Sequence, residues 1–342
     1  MTHYFEAEII IGIEDIAITE LKTVKGVKHQ SIKLIREGFV RFEFSKNPEN
    51  LLKLKSIIAI YAIHHFDISR PKALLGHQNF TRIIQLLSDL LRTWSENEIT
   101  LGLGAAGSDS SVMQRIKQEL SQTLNLPLAD DDKGNLYLRL LPAYKQQGWE
   151  VLIRLTSRPL ATRKWRIENI PGALNATVAY AMTQLANISY GETVLNLCSG
   201  TATILIEHAL QHKGATLFAI DNNTNMLQAA SQNINASNTE NYILQIRCDA
   251  QLTPFSDNSI ECIYADLPFG HHIGSHDENE WLYPAILEES ARIATQGTPF
   301  IVLTHEIQLM EQTLASSRWK IKHQKKINLS GLHPQIFVLE RI

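Results

Sequence analysis

The sequence predicts an α/β protein. Its C-terminal half is built on a mainly parallel sheet, and two small α+β units precede it. Three observations predict this. From about residue 173 apolar strands alternate with helical segments, and most of these strands end in polar or acidic residues. That is how the buried strands of a parallel sheet look, with ligand groups at their carboxyl ends. Before residue 157 strand-like segments mix apolar and polar residues and are separated by amphipathic runs. The length of 342 residues fits two or three domains rather than one small core.

Residues 4–11, YFEAEIII, read as a strand, Ile13 to Lys22 as a short helix, and GFVRFEF at 38–44 as a strand. Residues 48–64 read as a helix, with apolar residues at Leu51, Leu52, Leu54, Ile57, Ile58 and Tyr61. These make the first α+β unit. The second, 65–156, holds a strongly periodic helix at 78–94, a strand in ITLGLGAAG, and a helix opened by serines in SDSSVMQRIKQELSQTL. NLYLRLLPAY and WEVLIRLTS follow as strands that pair. SRPLATRKWRIENIPG, 157–172, is basic, contains two prolines and lacks periodicity, so it reads as a linker. Then come a helix, ALNATVAYAMTQLAN, and the strands TVLNLCSG, ATLFAIDNN, YILQIRCDA, IECIYADLPFG and TPFIVLTHE. The last two strands, WKIKHQKKINLSG and PQIFVLERI, read as an antiparallel hairpin closing the sheet.

No run approaches the ~18 apolar residues of a membrane helix. The N-terminus lacks the basic start and clean apolar core of a signal peptide. The three cysteines, Cys198, Cys248 and Cys262, have no metal-ligand spacing, and their odd number argues against a disulfide framework. No metal is expected, and the cytoplasm is the expected compartment. The net charge of −3 hides an asymmetry. Residues 1–166 carry 23 Lys and Arg against 18 Asp and Glu, whereas 167–342 carry 9 against 17. A basic half fits a nucleic-acid partner and also fits chance variation between two solvated surfaces.

The chemistry gathers at four strand ends. NLCSGTATILIEHAL, 196–210, is a strand, a turn of small residues and a helix. Small residues let a ligand approach the backbone, and the helix start offers free N–H groups. The GxGxxG of a dinucleotide site is absent, so Asn196, Cys198, Ser199, Gly200 and Thr201 suit a ligand without a pyrophosphate. A plain strand–turn–helix has the same pattern. Asp221, 25 residues after Asn196 and one strand over, is placed to accept both hydroxyls of a ribose; it also suits a helix cap. Asp249 ends the third strand, where a carboxylate accepts from an adenine amino group or closes a turn.

The fourth strand ends in Asp266-Leu267-Pro268-Phe269-Gly270. Pro268 restricts Leu267 to extended geometry, which turns the Leu267 carbonyl and the Asp266 carboxylate toward one cleft. Two acceptors on an aryl amine favour a pyramidal nitrogen and aim its lone pair at an electrophilic carbon. Phe269 is placed to stack on a planar base, worth about 1–3 kcal/mol. The same five residues make a good β-turn.

Three segments together resemble the THUMP-domain tRNA guanine-N2 methyltransferases: RPLATRKWRIENIPGALNATVAYAM, NLCSGTATILIEHAL and DLPFGHHIGSHDENEWLYPAILEESARI. Residues 105–140 look like the THUMP region, and 1–60 look like the small domain before it. The resemblance implies a ferredoxin-like domain over 1–64, a THUMP RNA-binding domain over 65–156, a linker over 157–172, and a class I Rossmann-like methyltransferase domain over 173–342. It implies S-adenosyl-L-methionine as cofactor and tRNA as partner. It also implies methyl transfer to the exocyclic N2 of a guanosine, near the 5′ end of the acceptor stem. The family's D/N-P-P-F/Y motif falls on Asp266, Leu267, Pro268 and Phe269, with Leu267 in place of the first proline; its carbonyl is what serves catalysis. The cofactor turn falls on Asn196 to Thr201 and departs from the glycine-rich pattern. Asp221 with Asn222 and Asp249 with Ala250 match the ribose and adenine positions. Asn175, in the segment from Pro171, matches the cover over the methionine end.

For RNA, the linker offers Arg158, Arg163, Lys164, Trp165 and Arg166, with Arg154 just before them. A second basic run, Arg318 to Lys326, reads equally as a strand edge protected by lysines. His271 and His272 follow the Asp266 loop and are candidates for substrate contact or for structure. Other readings stay open: ribosomal RNA guanine, a DNA adenine amine or a protein glutamine as target, or a non-catalytic RNA-binding partner protein.

Overall fold

A computed structural model describes the chain except residues 1–2, 97, 106, 108, 131–132, 187, 189–190, 213, 269–274 and 330. The chain divides into two compact units, Met1–Ile9 with Ala17–Leu160 and Ile10–Ile16 with Ala161–Ile342.

The first unit holds β1 (His3–Ile9), most of α1 (Glu14–Thr23), β2 (Lys33–Arg36), β3 (Phe39–Phe44), β4 (Ile57–Phe66), α2 (His77–Leu91), β5 (Leu101–Ala105), α3 (Ser111–Leu124), β6 (Leu136–Pro142) and β7 (Trp149–Arg154). Its strands form one sheet in the order β2-β3-β1-β4-β7-β6-β5, antiparallel except for the β5–β6 pair. Strands from before and after residue 64 therefore share hydrogen bonds across β4 and β7. Ile83 and Leu87 of α2 and Met113, Ile116 and Leu120 of α3 pack with Leu101, Leu103, Leu136 and Leu138. The serine start of α3 behaves as expected, with the Ser110 hydroxyl accepting from Met113 N.

The helix expected over 48–64 is corrected. Pro48–Lys53 is a short 3₁₀ turn, and Ile57–Phe66 is a strand. β4 is a central strand, paired on both edges by β1 and β7, and Ile57, Ala59, Ile60 and Tyr61 are all buried. Burial on both faces fills such a strand with successive apolar residues, which hides its period of two. The β-branched run SIIAIYAI was the available signal.

The second unit contains α4 (Ala176–Ala186), β8 (Thr193–Leu197), α5 (Thr203–Ala209), β9 (Thr216–Asp221), α6 (Thr224–Ala236), β10 (Ile243–Arg247), β11 (Cys262–Asp266), α7 (His276–Ile293), β12 (Pro299–Thr304), α8 (Ile307–Leu314), β13 (Trp319–Lys326) and β14 (Gln335–Arg341). The order is β10-β9-β8-β11-β12-β14-β13. The first five strands are parallel, and β14 runs antiparallel between β12 and β13. Leu195, Ile263, Phe300, Val302 and Phe337 from the sheet pack with Tyr283, Ile286 and Leu287 of α7. The strand order reverses at β8, which lies between β9 and β11. In an open α/β sheet a crevice forms at the carboxyl ends beside such a reversal. Among the described residues no helix is long and apolar enough to cross a membrane.

Candidate active site

The crevice is present. A cavity of about 920 Å³ opens over the carboxyl ends of β8, β9, β10 and β11, within the range of small-molecule sites. Its wall includes Asn196, Cys198, Ser199, Gly200, Thr201, Asp221, Asn222, Asp249, Ala250, Asp266, Leu267 and Pro268. The residues that the sequence placed at these four strand ends thus meet in one wall, apart from Phe269 and Gly270. Phe269 and Gly270 lie outside the described residues, as do His271 and His272.

The turn after β8 has unusual backbone geometry. Cys198, Gly200 and Ala202 have φ of 50°, 51° and 60°. Such angles cost a residue with a side chain about 1–3 kcal/mol each, a cost that persists where surrounding structure enforces it. Asp221 helps enforce it: Gly200 N donates to one of its oxygens and Asn223 N to the other, both at 2.9 Å. Asp221 therefore locks the turn, and each of its oxygens keeps a lone pair for a ligand. Asn196 is buried; its amide nitrogen donates to the carbonyls of Leu197 and Tyr264, and its Oδ1 has no partner. Asp249 caps its own turn by accepting from Gln251 N at 2.9 Å.

Asp266 ends β11. Its Oδ1 is buried without a hydrogen-bond partner, and burial pushes the carboxyl up to about 7. Cys198 lies among the acids: burial first, then Asp221, Asp266 and Asp249, push its thiol up to about 12. That makes it a poor nucleophile at neutral pH. Tyr283 of α7 sets the loop after β11. Its hydroxyl donates to Pro268 O at 2.9 Å and pairs with Thr304 Oγ1 at 2.6 Å. Leu267 N donates to Leu303 O, which ties the segment after β11 to β12.

The described wall contains four carboxylates, Asp221, Asp249, Asp266 and Glu278, and no Lys, Arg or His. Such a field favours a cationic ligand and opposes a pyrophosphate. Acceptors at successive strand ends fit a ribose and an adenine amine, and the acidic wall fits a sulfonium.

The residues from 163 to 335 match the family model UPF0020, described as RMKL-like, methyltransferase domain. The chain belongs to this methyltransferase family. The tRNA (guanine(6)-N2)-methyltransferase of Thermus thermophilus is 24% identical over 99% of this chain and 100% of its own. The tRNA (guanine(6)-N(2))-methyltransferase THUMP3 of Mus musculus is 29% identical over 50% of this chain and 37% of its own length. The chain thus spans well under two thirds of the first curated relatives it matches. The solved structure of TrmN from Thermus thermophilus superposes with a TM-score of 0.73 at 22% identity, covering both chains fully. That likeness extends the shared fold beyond the methyltransferase domain to the whole chain.

Several residues of the cavity wall carried little sequence signal. Ile170 to Leu174 form one wall, and Glu278, Asn279, Trp281 and Leu282 of α7 form another. Asn279 was legible only as a polar residue four positions before Tyr283, on the buried face of α7. Asn175, expected to cover the cofactor, instead accepts from Thr177 N at the start of α4 and is not among the lining residues.

The linker is also corrected in part. Arg163 is only 6% exposed and donates from Nε to Glu207 at 2.7 Å. Trp165 is buried, and Arg166 donates to Leu174 O and Thr203 Oγ1. Their positions suit them to hold the 170–174 wall against α5 rather than to meet phosphates. Arg154 likewise turns inward, to the carbonyls of Gly134, Asn135 and Ser157. Arg158 and Lys164 stay exposed. In the second basic run Trp319 is buried and donates to Leu287 O, whereas Arg318, Lys320, Lys322 and Lys326 are exposed.

Arg163→Ala strands a buried Glu207 carboxylate. It is expected to destabilise the protein by about 3–5 kcal/mol, read as a lower denaturant midpoint with unchanged slope. An unchanged midpoint would contradict the framework role.

Proposed function

We propose that the chain transfers a methyl group from S-adenosyl-L-methionine to the exocyclic N2 of a guanosine in tRNA, in the acceptor stem. The observation that carries this reading is the buried, unpartnered Asp266 Oδ1 beside the Leu267 backbone, in an acidic cavity of a methyltransferase domain. The names of the relatives, one of them matched over its full length, support guanine N2 and nucleotide 6.

Asn196, the turn Cys198–Thr201, Asp221 with Asn222, and Asp249 with Ala250 would hold the cofactor. When bound, it supplies an electrophilic methyl on a sulfonium. Asp266 and the Leu267 carbonyl accept the two N–H groups of the amine and draw its lone pair out of the ring. Asp266 would take the proton that the methylated, more acidic nitrogen releases, or pass it to water. Phe269 is proposed to stack on the base, and Arg158 and Lys164 to contact the RNA backbone. The first unit is proposed to combine the ferredoxin-like and THUMP regions in one sheet, ahead of a methyltransferase domain that begins near Ala161 rather than at 173. A soluble cytoplasmic protein fits this role.

The test uses methyl-labelled S-adenosylmethionine with unmodified tRNA and, separately, double-stranded DNA. Label in tRNA alone is expected. Label in DNA alone would overturn the RNA assignment.

A further inference from the structure

Asn279 lies in the first turn of α7, in the wall it shares with Asp266, Leu267 and Pro268. It is 0% exposed, yet neither its amide oxygen nor its amide nitrogen has a hydrogen-bond partner. An amide buried this way loses its water without replacement, a cost that folded proteins seldom carry. Tyr283, one turn further along the same face, grips Pro268 O, so α7 is braced against the loop that carries Asp266 and Leu267. Asp266 Oδ1 is in the same state, buried and unpartnered. Around the Leu267–Pro268 backbone the wall thus holds two unused acceptor oxygens and one unused amide donor.

This inventory selects a ligand. Two acceptors and one donor are all satisfied by an edge that offers two donor groups and then an acceptor. Among RNA bases only guanine has that edge, as N2–H, N1–H and O6. Adenine and cytosine each offer one amine followed by acceptors; with its two N–H groups taken by Asp266 and the Leu267 carbonyl, nothing is left to donate to the Asn279 oxygen, which stays buried and unpaired. Uracil has no amine.

We infer that Asn279 is the specificity-determining residue: its amide oxygen accepts from guanine N1–H and its amide nitrogen donates to O6, while Asp266 takes N2–H. This rests on the guanine N2 reading above and adds what rejects the other bases. A site built around such polar groups rejects an analogue lacking the partner atoms, because the site's own groups are then stranded. The alkyl part of the wall has no such leverage.

The experiment compares two tRNAs, with guanine or 2-aminopurine at nucleotide 6. The analogue keeps the 2-amine but lacks O6 and the N1 hydrogen. For the wild type, kcat/KM is expected to fall about 10–100-fold on the analogue. For Asn279→Leu, similar in shape and without polar atoms, guanine turnover drops and the ratio between the two tRNAs shrinks to within about 3-fold. A full ratio retained by Asn279→Leu overturns the inference, as does a wild type indifferent to the analogue. If the leucine variant does not fold, Asn279→Asp keeps the acceptor and loses the donor. Its ratio is then expected to fall below the wild-type value, and an unchanged ratio overturns the inference. A wild type active on neither tRNA, but active on another nucleotide, defeats the guanine reading itself.

Discussion

Asp266→Ala is expected to lower kcat by about 10²–10³-fold, the usual loss when one aligned electrostatic partner of the reacting group is removed. Affinity for S-adenosylhomocysteine should stay within about 3-fold, because the ribose and adenine acceptors lie on other strands. Wild-type kcat/KM has a pH dependence that follows from the burial of this carboxyl. With the group pushed up to about 7, it is protonated below that pH and has a proton where an acceptor is needed. Activity on tRNA therefore rises as pH passes through about 7 and then levels. Asp266→Asn removes the titration and flattens this profile. The same shift acts on stability with the opposite slope. A carboxyl whose folded value lies above its unfolded value near 4 favours the folded state when protonated, and that contribution is lost as pH rises from about 4 to about 7. A normal rate for Asp266→Ala, or a flat wild-type profile, would remove Asp266 from the reaction.

The second large effect is expected at Asp221. Its two oxygens hold Gly200 N and Asn223 N, so it sets the turn geometry as well as offering lone pairs to the cofactor. Asp221→Ala gives up charge-assisted hydrogen bonds worth about 1.5–3 kcal/mol each. The Kd for S-adenosylhomocysteine, measured by calorimetry, should rise by roughly 10–150-fold. Turnover at saturating cofactor should fall much less, which separates this variant from Asp266→Ala. An unchanged Kd would place the ribose elsewhere.

How much of this was legible in the sequence depends on what each residue touches. Strand-end polar residues were readable because parallel strands are apolar until they leave the sheet, so Asn196, Asp221, Asp249 and Asp266 stood out against their neighbours. The turn at Cys198–Gly200 lacked the expected glycines, and the left-handed angles at Cys198 and Ala202 explain how it still closes: the Asp221 carboxylate holds it. What failed was inference about burial. Arg163 and Arg166 sit in a basic, aperiodic segment that composition assigns to a solvated linker, yet their partners, Glu207, Leu174 and Thr203, are up to 44 residues away. No local pattern encodes such a pairing. β4 failed for the opposite reason, since a strand covered on both faces shows no alternation. Asn279 lies between. Its spacing from Tyr283 fixes the face it occupies, but only the packed helix reveals that the amide has no partner.

The most direct measurement is the identity of the methylated nucleoside. Unmodified tRNA is incubated with the protein and methyl-labelled S-adenosylmethionine, digested to nucleosides and separated by chromatography. Label in N2-methylguanosine, lost with Asp266→Ala, is the expected result. Label in N6-methyladenosine or another nucleoside, or no label in tRNA despite bound cofactor, would contradict it.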